Sequence, residues 1–152
     1  MKYQHLLGAV MMLACAFTAT HTASAAIPIT SCGTVIKELG DYTVANDLMC
    51  ASDAIQIAAS EVTLFLAGHT VATSCAGCGF DGISVNPKGK LRGIRGVRII
   101  GPGRIEGAAS GVHFQGVQVS LVNGVVFIND LVGIKVDMDD AGNRSSNGGV
   151  PR

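Results

Sequence analysis

Gly82-Ile83-Ser84-Val85, Gly111-Val112-His113-Phe114 and Gly133-Ile134-Lys135-Val136 repeat one phrase: glycine, β-branched apolar, polar, apolar. Ala54-Ile55-Gln56-Ile57 is an earlier copy with alanine in the glycine place. The four starts lie 28, 29 and 22 residues apart. Each of the first three copies leads into a second run that alternates with period two: Val62, Leu64 and Leu66; Val97 and Ile99; Val119 and Leu121. Turn residues follow at Ala67-Gly68, Gly101-Pro102-Gly103 and Asn123-Gly124. A third short run closes each unit: His69-Thr70-Val71, Arg104-Ile105-Glu106 and Val125-Val126-Phe127.

Period two excludes a helical solenoid. Asn123-Gly124 is a strong hairpin signal, but stacked hairpins do not explain a three-strand phrase in constant order. A unit of about 22 extended residues at roughly 3.3 Å each has a perimeter near 70 Å, enough for a three-sided tube filled by inward side chains. Equivalent strands of successive units would then pair in parallel, about 4.8 Å apart. The expected fold class is all-β, a parallel β-helix of about three coils.

The flanks complete the domain plan. Residues 1–25 read as a cleaved export signal: Lys2, the apolar run Leu6 to Phe17, then Ala23-Ser24-Ala25. A helix of about twelve residues rises roughly 18 Å, short of a membrane core of about 30 Å. Lipidation at Cys15 is the competing reading, disfavoured because the apolar run continues past it. Residues 26–53 read as an N-terminal strand module, with Val35-Ile36 and Tyr42 with Val44 as strands about a turn at Gly40-Asp41. Residues 54–136 hold the coils. Residues 137–152 read as a disordered tail with no apolar face to cap the last coil. The expected localisation is secreted or periplasmic.

Eleven basic residues balance eleven acidic ones, which does not suggest a nucleic-acid or anionic-membrane partner. Abundant glycine and the absence of tryptophan suit short strands and tight turns. Cys32, Cys50, Cys75 and Cys78 remain after export, where disulfides are the default. Three connectivities are open, and local pairing (Cys32–Cys50, Cys75–Cys78) is the one expected. Cys75-Ala76-Gly77-Cys78 has redox-dithiol spacing, but it leads into a strand and not a helix.

Cys32-Gly33-Thr34-Val35-Ile36, Gly40 through Cys50, and Val62 through Val71 resemble the exported right-handed parallel β-helix proteins of the pectin-lyase-like superfamily. The resemblance covers residues 32 to 136, as in a truncated member. It implies a right-handed coil, and its enzymes are polysaccharide lyases and hydrolases. Those enzymes use acidic clusters on neighbouring coils for calcium or acid/base work. The acid cluster here, Asp137, Asp139 and Asp140, follows the last strand, so no catalytic residue is assigned, and a calcium site there is the only metal expectation.

The basic run Lys88, Lys90, Arg92, Arg95, Arg98 and Arg104 is the expected ligand contact, suited to carboxylates of an anionic polysaccharide. His69 reads as structural and His113 as an outward, lone surface histidine. The leading function is an exported scaffold, without evident catalysis, that binds anionic polysaccharide. The alternatives are a fragment of a polysaccharide lyase or glycoside hydrolase, and a module that completes its helix with a protein partner at the uncapped C-terminal end.

Overall fold

The computed structural model describes residues 25–74, 76–86 and 93–138, and among them the chain is all-β apart from one turn of 3-10 helix at Ala76–Cys78. The strands are β1 (Ile27–Ile29), β2 (Thr34–Ile36), β3 (Gly40–Val44), β4 (Leu48–Cys50), β5 (Ile55–Ile57) and β6 (Val62–Phe65), then β7 (Thr70–Thr73), β8 (Asp81–Val85), β9 (Arg95–Glu106), β10 (Ser110–Gln115), β11 (Gln118–Ile128) and β12 (Val132–Asp137). The pairings between these strands are parallel.

They form two sheets. One is five-stranded in the order β12-β10-β8-β5-β2; the other is seven-stranded, β1-β3-β6-β9-β7-β4, with β11 paired to β9. The second sheet has two arms because β9 is long. Its first half pairs with β6 through Arg98–Ile100, and its second half pairs with β7 through Arg104–Glu106. The chain therefore visits three ladders in fixed order: β2-β3-β4, then β5-β6-β7, then β8-β9, then β10-β11, then β12.

Register follows from the apolar pattern. Ile36, Ile57, Val85, Phe114 and Val136 stand opposite one another in the first ladder. Tyr42, Leu64, Ile99 and Val122 do so in the second, and Leu48, Val71, Ile105 and Phe127 in the third. Ile57, Val85, Leu64, Ile99, Val71 and Ile105 are fully buried. Each such side chain contributes about 1.5–3 kcal/mol. A slip of one residue would turn a whole column out to water.

The glycine of the repeated phrase has a steric cause. A Cβ built on Gly111 would meet the Phe127 ring and lie 2.7 Å from the carbonyl oxygen of Gly133 in the next round; Gly82 meets the carbonyl oxygen of Gly111 at the same distance. A corner between the first and second ladders shows another regularity. Glu61, Gly96 and Val119 stand in register and all have left-handed φ, at 54°, 69° and 48°. Glycine suits that bend, whereas β-branched Val119 is strained there and is 83% exposed.

The opening segment contains more strand than the sequence suggests. Residues 26–53 hold β1, β2, β3 and β4, and β2, β3 and β4 pair with β5, β6 and β7. Gly33-Thr34-Val35-Ile36 is thus another copy of the phrase, obscured by a polar residue in its second place. Turns expected at Gly101-Pro102-Gly103 and Asn123-Gly124 bend β9 and β11 without ending them, because pairing resumes at Val125↔Gly103. Cys32 and Cys50 form the expected disulfide, with Cα atoms 5.5 Å apart. Cys75, and with it the expected Cys75–Cys78 pair, lies outside the described residues. No helix among the described residues is long and apolar enough to cross a membrane.

At the far end of the ladders Leu131, Val132, Ile134, Val136 and Val126 are 44–69% exposed. Asp137, expected in a disordered tail, is the last residue of β12.

Gly111→Ala should lower stability by about 1–3 kcal/mol, the usual range for forcing atoms into a packed site. Val119→Gly, which removes strain without removing burial, should raise it by about 1 kcal/mol. Urea unfolding of the two variants beside the parent chain measures both.

Candidate functional site

Strand alternation sends one side chain in two away from the core. In the five-stranded sheet the register puts Gln56, Ser84, His113 and Lys135 in one outer row, one from each of four successive rounds. Neighbouring members of such a row are about 4.8 Å apart. The row forms part of an open groove of about 490 Å³, whose lining also includes Asp53, Asp81, Ser110 and Gln115.

His113 is the centre of this groove. It is 8% exposed, and both its ring nitrogens face carboxylates. Nδ1 lies 2.7 Å from Asp81 Oδ2, and Nε2 lies 2.8 Å from Asp137 Oδ2. A neutral imidazole donates from one nitrogen only, whereas an imidazolium donates from both. Lys135 Nζ stands 3.1 Å from the same Asp137 oxygen. On the other side Asp53 Oδ1 accepts the backbone N–H of Asp81 at 2.9 Å. The chain of contacts Asp53–Asp81–His113–Asp137–Lys135 thus joins β8, β10 and β12 to the segment before β5.

The electrostatics follow from these contacts. The His113 ring, and then Lys135, hold the Asp137 carboxyl below the usual carboxylate range. Elsewhere the Thr70 N–H, and then His69, do the same for Asp47. Burial pushes the Asp130 carboxyl up, against the opposing bond from the Ala108 N–H.

The residues picked out in the sequence are distributed differently. Arg98 stands opposite Thr63 in the second ladder and Arg104 opposite Thr70 in the third, so these two guanidinium groups belong to different sides. Arg95 lies 3.9 Å from Glu61, an acid that the fold brings to it from the preceding round. Lys88, Lys90 and Arg92 lie outside the described residues, as do Asp139 and Asp140. Asp137 is bound to His113 and Lys135. Among the described residues no group of three or more His, Cys, Asp or Glu is placed to hold a metal ion. His69 faces Asp47 at 3.2 Å, in keeping with a structural role.

The reading of His113 as lone surface decoration is overturned by its burial and its two carboxylate partners. Its position does point outward from the core; the neighbouring rounds cover it. A signal was present, since Asp81 immediately precedes the first glycine phrase and Asp137 immediately follows the last. Comparison of the chain with family models, with curated proteins and with solved structures finds no match in any of the three.

Removing the ring should expose how much this clamp holds. His113→Ala leaves the buried Asp81 carboxylate without its donor and should cost about 2 kcal/mol in urea unfolding. The Asp137 carboxyl has a folded pKa below its unfolded value. Its contribution is therefore complete above the unfolded value and is lost as pH falls from about 4 downward. Asp137→Asn should show a smaller drop in urea midpoint than the parent between about pH 6 and about pH 3.

Proposed function

We propose that the chain is an exported, right-handed parallel β-helix scaffold of the pectin-lyase-like kind that binds a polysaccharide on its outer face. Parallel pairing and the fixed order of visits to three ladders support the coil, and parallel crossovers are right-handed in the great majority of cases. The Cys32–Cys50 disulfide fits an oxidising compartment.

The observation that carries the binding reading is the groove around His113. It presents one polar side chain from each of four rounds, and its lining mixes carboxylates, amides, hydroxyls and an ammonium. Sugars, with many hydroxyls that both donate and accept, are the ligands such a row satisfies. A polymer lying along the row meets a new contact in every round. The tying of both His113 nitrogens to carboxylates favours recognition over proton transfer at that ring. The groove, and not the basic run, is the contact in this proposal.

A second reading is favoured by the apolar side chains exposed on β12 and the second half of β11. It makes the chain an interaction module whose end strands pair with the same strands of a second copy across a twofold axis.

Affinity electrophoresis through gels containing a panel of soluble polysaccharides tests the first reading. At least one polymer should retard the chain, and Gln56→Ala should weaken that retardation by about tenfold, the effect of one lost hydrogen bond of about 1.4 kcal/mol. Retardation by none, or no effect of the substitution, would sink it. Sedimentation velocity tests the second: self-association should rise with concentration and disappear in Ile134→Lys, and a strict monomer at all concentrations rules it out.

A further inference from the structure

We infer that β12 carries a self-complementary docking segment, Ile134 to Met138, on which a second copy of this chain pairs antiparallel about a twofold axis at Val136; this deepens the second reading above and rests on it. Ile134-Lys135-Val136-Asp137-Met138 reads apolar, positive, apolar, negative, apolar. Read backwards, the apolar and charged places fall in the same order and the two charges change places. A twofold axis through Val136 therefore sets Ile134 opposite Met138 of the second copy, Val136 opposite its own equivalent, and Lys135 opposite Asp137.

The segment stands at a sheet edge. Among the described residues β12 is the end strand of the five-stranded sheet and pairs with β10 alone. A strand offers backbone donors and acceptors on both sides, so the outer side of β12 is a template for a further strand. Ile134 and Val136 stand in register with the buried Val112 and Phe114, yet they are 45% and 55% exposed, and Met138 is 87% exposed. A second copy in this register covers all three with apolar side chains. Lys135 and Asp137 occupy the alternate places, with Lys135 Nζ 3.1 Å from Asp137 Oδ2 within one copy. Across the axis the four charges form a square in which each neighbour, along or across the strands, has the opposite sign. Opposite charges facing across a strand pair are stabilising, and like charges directly opposite are destabilising. An axis at Lys135 or at Asp137 would set that residue against its own equivalent, like charge against like. An axis at Ile134 sets Lys135 against Gly133, so neither charge meets its opposite.

Sedimentation equilibrium of the full chain over a range of concentrations is the test, with circular dichroism confirming the fold of each variant. The parent should pass from monomer to dimer and stop there, and added salt should weaken its dimer. Lys135→Glu places a carboxylate opposite Asp137 in both halves of the pair. It should raise the dimer Kd about tenfold or more, and added salt should strengthen the weakened dimer, because repulsion is now what is screened. Asp137→Lys places ammonium against ammonium and should weaken association likewise. An equimolar mixture of the two variants sets every charge against its opposite and should associate more tightly than either variant alone, a recovery that mere loss of structure would not give. Unchanged association of Lys135→Glu, a salt response of the same sign as the parent's, or a mixture of folded variants no tighter than its components overturns the axis at Val136 and leaves self-pairing standing. A parent that is strictly monomeric, or that grows past the dimer, overturns both.

Discussion

Parallel register is the constraint on which the rest of this molecule depends. From β2 onward each strand pairs in parallel with strands some 21 to 35 positions away in the chain, as in Ile36 to Ile57 and Leu64 to Ile99. Inside the ladders this stacks branched aliphatic side chains into columns that exclude water. Outside it stacks whatever the sequence offers at the alternate positions. The same register that makes the core continuous therefore makes a row of polar groups continuous, and Gln56, Ser84 and His113 form a surface because Ile55, Ile83 and Val112 form a core column, with Lys135 and the half-exposed Ile134 extending the two rows.

Corners impose a second constraint. Where the chain leaves one ladder for the next, its conformation repeats from round to round, as at Glu61, Gly96 and Val119. Side chains from one round also secure the backbone of its neighbour. Asp47 accepts from the Thr70 N–H, Asp53 from the Asp81 N–H, and Asp130 from the Ala108 N–H. These bonds satisfy backbone donors that lie at the ladder ends. Short aspartates suit the task, having two acceptor oxygens close to the main chain.

Much of the fold was legible because it repeats. Period-two runs located β5 through β12, and the glycine phrase marked the start of a round, for a reason that Gly111 against Gly133 makes concrete. What the pattern hid was its own first copy, where Thr34 stands in the place of an aliphatic residue, and the strand β4, too short to show alternation. The site was less legible. His113 meets Asp81 and Asp137 from 32 and 24 residues away, and nothing local to Gly-Val-His-Phe announces either partner. The basic run divides for the converse reason. Arg98 and Arg104 are close in sequence, but the bend at Gly101-Pro102-Gly103 lies between them and turns them to different sides. Proximity along the chain says little about a surface on which neighbours are a full round apart.

The outer polar network and the apolar interior are not independent at β12. Val132, Ile134 and Val136 of this strand are 44–55% exposed, so they bury far less than their counterparts in β8 and β10. Pairing with β10 and the contacts of Asp137 with His113 make up part of the difference. His113 is thereby both a lining group of the groove and a tie between the last strand and the two beneath it. A ligand that draws on Asp137 or Asp81 acts on that tie as well as on the groove.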